Sequence, residues 1–264
     1  MKLIKIKAFK NNVFNFLTWK RIYITNILMN ISTKKIVVIV PVYNEQEIIQ
    51  NVIFDLRNNL SDTNYKIIIL NDGSNDKTEE KLKIFENSEK ILVINKNNEG
   101  HGRTLIRGYE IALKMDFDYV MQIDSDDQIP IIELQKLGEF IKNYDLVCGY
   151  RFRRKDPFVR ILITNILKLF ILIRHRVLIK DPNIPFRIMK KVFLQTAINK
   201  IKNSHIPNVM LSILASKTKN LKQIKTIHKP RNTGVVSIKR FKLLVFCMKS
   251  FLEVLKFKVN WKFI

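Results

Sequence analysis

Cysteine is nearly absent. Cys148 and Cys247 are the only two in 264 residues, and they lie about a hundred positions apart, which excludes a disulfide scaffold and any cysteine-based zinc module. Histidine is also sparse: His101, His175, His205 and His228 include no His-x-x-x-His pair, so a histidine metal site is not expected. No apolar run is long enough to span a bilayer. The longest uncharged stretches, such as Ile22–Thr33, fall well short of the roughly 20 residues a spanning helix needs. Lys2, Lys5, Lys7 and Lys10 interrupt any signal-peptide core. Internal repeats and low-complexity linkers are missing as well. The most telling scarcity is of acids: after residue 149 only Asp156, Asp181 and Glu253 occur.

The composition, 47% hydrophobic and 27% charged, is that of a folded protein. Its net charge of +24 is unevenly distributed. Residues 1–33 carry six basic side chains and no acid. Residues 34–149 carry 14 basic and 20 acidic, and residues 150–264 carry 27 basic against three acidic. A mildly acidic middle between basic flanks points those flanks at an anionic surface, either phospholipid headgroups or nucleic acid.

Ile36–Val40 is a β-branched run of strand length, and Lys66–Leu70, Ile91–Ile94, Tyr119–Ile123 and Leu146–Cys148 read as four more strands. Between them, helical patterns cover 45–60, 76–85 and 101–115, with another helix starting at Pro130. Short apolar strands alternating with helices predict an α/β fold: a mostly parallel, Rossmann-like sheet covered on both faces. Ligands bind such sheets beyond the carboxyl ends of the strands. Polar clusters occupy those ends here: Tyr43-Asn-Glu45, Asp72-Gly-Ser74 and Asp124–Gln128.

Two later segments differ. Phe158–Ile173 has only two charges, and Arg160, Thr164 and Lys168 form one stripe. Near the end, Lys242, Lys249, Glu253 and Lys256 share a face while Phe241, Leu244, Val245, Phe251, Leu252 and Leu255 fill the remainder. Both suit amphipathic helices in a membrane interface. The alternative is that they are core helices packed on the sheet; the charge imbalance favours the interface.

Asp124-Ser-Asp126-Asp127-Gln128 is the densest acidic cluster. Carboxylates two apart after a strand can both reach a hard divalent cation, Mg²⁺ or Mn²⁺, which in turn bridges phosphate oxygens. With Pro41-Val-Tyr-Asn-Glu45, Asn71-Asp-Gly-Ser-Asn-Asp-Lys-Thr78 and Asn98-Glu-Gly-His-Gly-Arg103, this set resembles the family-2 glycosyltransferases of GT-A fold. Within them it is most similar to the polyprenyl-phosphate sugar transferases typified by dolichyl-phosphate mannose synthase. Asp181-Pro-Asn-Ile-Pro-Phe-Arg187 and His228-Lys-Pro-Arg231-Asn-Thr-Gly234 continue the likeness. Of seven glycines, Gly73, Gly100, Gly102 and Gly234 fall inside these motifs.

The resemblance implies roles. Pro41, Tyr43 and Glu45 line the base and ribose pocket, Asp72 holds the base or ribose, and Ser125 belongs to the nucleotide site. Gly100 and Gly102 let the backbone approach the nucleotide, with Arg103 near its phosphates. Asp124, Asp126 and Gln128 hold the metal. Arg231 and Lys239 close over the donor diphosphate, while Arg151, Arg160, Thr164 and Arg187 receive the acceptor phosphate. Asp124, Asp126 and Arg187 are the expected catalytic set. The chain departs from the family at Asn71, where an aspartate is usual, at Pro185, where a glycine is usual, and in its basic 1–33 extension. The implied organisation is that extension, a nucleotide-sugar half over 34–150, an acceptor half over 151–237 with an interface helix at 158–175, and an amphipathic helix in 238–264.

The acceptor is expected to be a lipid phosphate. A carbohydrate hydroxyl needs a general base, and Asp181 is the one acid from residue 157 to 252. A phosphate monoester, with a second pKa near 6, reaches the site already ionised. The expected activity is inverting sugar transfer from a nucleoside diphosphate to undecaprenyl or dolichyl phosphate, by a cytoplasmic protein peripheral to the inner face of an anionic membrane. Three rivals stand beside it: a carbohydrate acceptor with Asp181 as base, a basic nucleic-acid-binding protein, and a non-catalytic membrane adaptor. The basic residues alternate with large aliphatics and no recognition motif appears, so nucleic acid is not an expected partner. A homo-oligomer or a partner membrane protein is left open.

Overall fold

The computed structural model describes residues 34–152, 158–230 and 240–259, with the side chains of 158, 160 and 240–244 outside that description. The 1–33 extension, Arg231 and Lys239 lie outside the described residues, as does the side chain of Arg160.

The first half alternates strand and helix: β1 (Lys35–Val42), α1 (Ile49–Asn59), β2 (Asn64–Asp72), α2 (Thr78–Leu82) running into a 3-10 turn, β3 (Ile91–Lys96), α3 (His101–Leu113) and β4 (Tyr119–Gln122). A 3-10 turn at Ile131–Glu133 and the short α4 (Leu134–Gly138) lead to β5 (Leu146–Arg151). The rest comprises α5 (Phe158–His175), β6 (Arg187–Lys190), α6 (Lys191–Ile201), α7 (Pro207–Lys217), β7 (Leu221–Thr226) and α8 (Arg240–Lys256).

The seven strands of the described residues form one sheet in the order β3-β2-β1-β4-β6-β5-β7. β1 pairs in parallel with β2 and β4, β2 with β3, and β5 with β7. β6 alone runs antiparallel, between β4 and β5. Along β1, Ile36, Val38 and Val40 enter one hydrophobic layer with Ile49, Val52, Ile53 and Leu56 of α1. Val37 and Ile39 enter the other layer with Leu105 and Tyr109 of α3. A strand buried on both faces reads as an unbroken apolar run because alternate side chains serve opposite layers.

The chain after Lys180 holds the differences from expectation. β6 is only four residues long and opens on a buried arginine, so no apolar run announces it. α7 is buried from Pro207 to Ala215 on every side, which erases helical periodicity. β7 is an edge strand whose apolar residues are only Leu221 and Ile224. α1 begins at Ile49 instead of 45, preceded by a turn at 46–48 in which the Glu45 carbonyl accepts from Ile48 and Ile49, while the Glu45 N–H donates to the Thr78 hydroxyl at 2.9 Å.

α5 and α8 pack together and each is buried on one side. Ile171 and Val254 are fully enclosed, and the rings of Phe170 and Phe251 lie 4.9 Å apart. Arg174 Nε donates to the Leu255 carbonyl and His175 Nε2 to the Val254 carbonyl, both at 2.9 Å. Each helix also exposes an apolar stripe: Leu162, Ile166, Leu169 and Ile173 on α5, and Val245, Met248, Leu252 and Leu255 on α8. Neither a pure core helix nor a helix wholly at an interface describes them. No helix among the described residues is long and apolar enough to cross a membrane.

Candidate active site

The carboxyl ends of β1, β2 and β4 lie side by side, with Val42 opposite Asn71 and Ile39 opposite Gln122. The loops leaving β1 and β2 are laced together. Asn44, at φ +56°, donates its N–H to Ser74 Oγ at 3.0 Å, and Asn75 N–H donates to Asn44 Oδ1 at 2.8 Å. Asn75 Nδ2 reaches the Tyr43 hydroxyl at 3.4 Å. Asparagine tolerates this left-handed conformation better than most residues. Ser125 Oγ donates to the Pro41 carbonyl at 3.0 Å and so ties the end of β4 to the end of β1. Pro41 and Ser125 are therefore brought together, while Tyr43 and Glu45 follow on the loop after β1, with Glu45 and Ser125 buried.

Asn71 explains its own departure from aspartate. Its amide nitrogen donates to Asn95 Oδ1 at 2.9 Å while its oxygen accepts from Ser74. A carboxylate could make only the second contact, having no proton to donate.

Asp72 corrects an expectation. It is buried, and both of its oxygens are engaged by the loop before α3: Lys96 Nζ and Glu99 N–H on Oδ1, Gly100 N–H on Oδ2. Burial raises its pKa, but the Lys96 and Glu99 hydrogen bonds and the Lys96 charge outweigh it, leaving the group below the ordinary carboxylate range. Asp72 shapes the loop around the site instead of offering an open oxygen to a base or ribose.

The loop it shapes carries Gly100, at φ +88° with open space where a Cβ would stand. Gly102 serves packing: a Cβ there would overlap the His205 carbonyl, so the glycine lets α3 settle on that turn, and it does not open onto a nucleotide as the resemblance implied. Arg103 is exposed on the first turn of α3. His101, at the start of the same helix and half exposed, places Nε2 3.8 Å from Asp124 Oδ1. Sequence reasoning passed over His101, which sits between two motif glycines with no metal-ligand spacing to single it out.

Asp124 is the focus. Its Oδ1 is buried and has no hydrogen-bond partner among the described residues. A buried carboxylate oxygen without a donor is costly, and a cation would satisfy it. Asp126 Oδ1 accepts the Gln128 N–H at 3.3 Å. Among the described residues no three His, Cys, Asp or Glu side chains are gathered as a metal site. Gln128 Nε2 reaches the Lys229 carbonyl at 3.5 Å.

The expected acceptor cations divide. Arg187 is enclosed at 0% exposure and donates to the carbonyls of Ile184 and Asn208. Burial lowers its pKa, against the nearby Cys148, Tyr109, Asp181 and Asp124. Enclosed there, it offers no open donor to an acceptor and instead holds the turn before β6. Arg151 is held by Asp181 in a two-point pair, Nε to Oδ2 at 2.7 Å and Nη2 to Oδ1 at 3.0 Å. Thr164 is half buried on α5.

Comparison with known proteins bears on the family and the fold. The model of Glycosyl transferase family 2 matches residues 37–200. The dolichol-phosphate mannosyltransferase of Pyrococcus furiosus is 33% identical over 138 residues, 50% of this chain and 38% of that protein. The undecaprenyl-phosphate 4-deoxy-4-formamido-L-arabinose transferase of Pectobacterium atrosepticum is 26% identical over 220 residues, 80% of this chain and 64% of that one. The chain thus spans less than two thirds of either relative. The glucosyl-3-phosphoglycerate synthase of Mycobacterium tuberculosis, crystallised with Mn²⁺ and UDP-glucose, superposes with a TM-score of 0.61 over 90% of this chain and 84% of that one. At 16% identity this last likeness bears on the GT-A fold alone. With more than half its length matched by the family model, the chain belongs to glycosyl transferase family 2.

Proposed function

We propose that this chain transfers a sugar from a nucleoside diphosphate to a polyprenyl phosphate at a membrane surface, with inversion and with Mg²⁺ or Mn²⁺. The observation that carries the reading is the buried Oδ1 of Asp124 at the junction of the β1, β2 and β4 ends, which accepts no hydrogen bond among the described residues and has only His101 Nε2 nearby, at 3.8 Å. Asp124 and Asp126 would hold the cation, with Gln128 beside them. Once bound, the ion supplies positive charge to the departing diphosphate. Pro41, Tyr43, Glu45 and Ser125 form the wall for base and ribose, and Arg103 faces the phosphates from α3. Arg231 and Lys239 are retained as donor contacts from the sequence resemblance.

The state of the acids supports a lipid phosphate acceptor. In the described part of the second half they are Asp181, paired with Arg151, and Glu253, which accepts from Ser204 Oγ and His205 N–H. Neither is placed to take a proton from a sugar hydroxyl. A phosphate monoester is largely ionised at neutral pH and requires only to be positioned. Arg160 and Thr164 of α5 are the positions we assign to it. The names of the Pyrococcus and Pectobacterium relatives, which specify dolichol and undecaprenyl phosphate, point the same way. The exposed α5 and α8 stripes would lie on an anionic bilayer, whose headgroups the basic excess of the second half would favour.

The test presents a panel of labelled nucleoside diphosphate sugars with Mn²⁺ and, in turn, undecaprenyl phosphate and soluble oligosaccharides. Label extracted into butanol with the lipid is expected. Label found only in a water-soluble glycan would move the acceptor to a carbohydrate hydroxyl.

A further inference from the structure

The loop after β4 carries three carboxylates in four residues, Asp124, Asp126 and Asp127, yet a two-carboxylate metal site needs the third kept out of the way. Asp127 stands at φ +49°, a left-handed conformation open to few residues besides glycine and Asn/Asp. Both of its oxygens meet Lys229 Nζ, at 2.9 and 3.2 Å. Lys229 comes from just beyond β7 and is joined to the same loop twice more. Its N–H donates to the Gln128 carbonyl at 2.8 Å, and its carbonyl accepts from Gln128 Nε2. Gln128 in turn gives its N–H to Asp126 Oδ1. A half-exposed ion pair adds little to stability. Its consequence is the charge on the loop that carries Asp124 and Asp126.

We infer that Lys229 is a positioning residue that neutralises Asp127 and so leaves Asp124 and Asp126 as the carboxylates that hold the cation, linking the second half of the fold to the metal loop. The inference rests on the metal reading of Asp124 given above. It follows that the two members of the pair act on cation affinity with opposite sign. Asp127→Asn, which keeps a residue suited to positive φ, strands the Lys229 ammonium beside the loop and repels a divalent ion. Lys229→Met strands the Asp127 carboxylate, which attracts the ion and draws it from its proper ligands. A role confined to holding the loop in shape would weaken binding in both.

Mn²⁺ binding to the full chain, followed by loss of the free-ion electron paramagnetic resonance signal, separates these outcomes without substrate. For charges several ångströms apart at the effective dielectric of a protein surface, shifts of about three- to tenfold are expected. Asp127→Asn should weaken Mn²⁺ binding, Lys229→Met should tighten it while lowering turnover, and the double variant should return to near wild type. Weakening in both single variants, or no shift in either, overturns the inference. Asp124→Ala distinguishes the underlying reading: if it binds Mn²⁺ as the wild type does, the metal site itself is misplaced and the inference falls with it. If Asp124→Ala loses binding while the Lys229 and Asp127 variants do not move, only the role of Lys229 is lost.

Discussion

The two halves of the sheet use charge in opposite ways. In residues 34–149 acids outnumber bases, and carboxylates stand at strand ends, fixed by backbone and by neighbouring loops. In residues 150–264 bases outnumber acids by 27 to three, and the distinctive surface is a pair of helices with exposed apolar stripes. The first arrangement suits a small ligand whose phosphates need a cation and a rigid wall. The second suits a ligand held by an extended anionic, apolar surface. A site between them is where a soluble donor and a membrane-borne acceptor would meet.

Asp124→Ala should sharpen that contrast most. It removes a buried oxygen that accepts no hydrogen bond among the described residues, and turnover at saturating Mn²⁺ should fall by about 10²–10³-fold, as when one electrostatic stabiliser of a transition state is lost. Lipid binding by the second half should be unchanged in the same variant.

Arg187→Met tests whether a motif cation of the second half serves the ligand or the fold. Two backbone carbonyls would lose their buried donor, so a stability loss of about 3 kcal/mol in urea unfolding is expected. Reduced activity with unchanged stability would return Arg187 to the acceptor. Leu169→Glu with Ile173→Glu probes the α5 stripe. Sedimentation with vesicles containing anionic lipid should fall about tenfold or more, since each large side chain loses its burial in the interface, while hydrolysis of a soluble donor stays as in the wild type.

The smallest effect concerns pH. Burial, the leading cause, holds His175 below the usual histidine range, opposed by its bond to the Val254 carbonyl. A histidine kept neutral in the fold binds fewer protons there than when unfolded. Stability is therefore fully present above the unfolded value of about 6.5 and declines as pH falls from there toward the lower folded value. The urea midpoint should drop between pH 7.5 and 5.5, and His175→Gln should lessen that drop.

How much was legible follows from the same physics. β1, β2 and β4 were readable because strands buried on both faces must be apolar throughout, and the ends of those strands located the site. β6, α7 and β7 were not: a strand opening on Arg187, a helix buried all round and a polar edge strand each lack the period that announces their type. Within the site, residue types were readable and their partners were not. Asp72 and Arg187 carry the right chemistry for ligand contact, but nothing in a linear sequence shows that Gly100 N–H or the Asn208 carbonyl takes it up first. The same limit hid Lys229, 102 positions from Asp127.

The central claim is that a cation on Asp124 and Asp126 joins the protein to a nucleoside diphosphate. Calorimetry with a panel of nucleoside diphosphates, in Mn²⁺ and then in chelator, tests it without any acceptor. At least one nucleotide should bind tenfold or more tightly with Mn²⁺, by the affinity a shared charge confers, and Asp124→Ala should abolish the difference. Equal affinity with and without the metal, or a metal effect that survives in Asp124→Ala, would contradict the account.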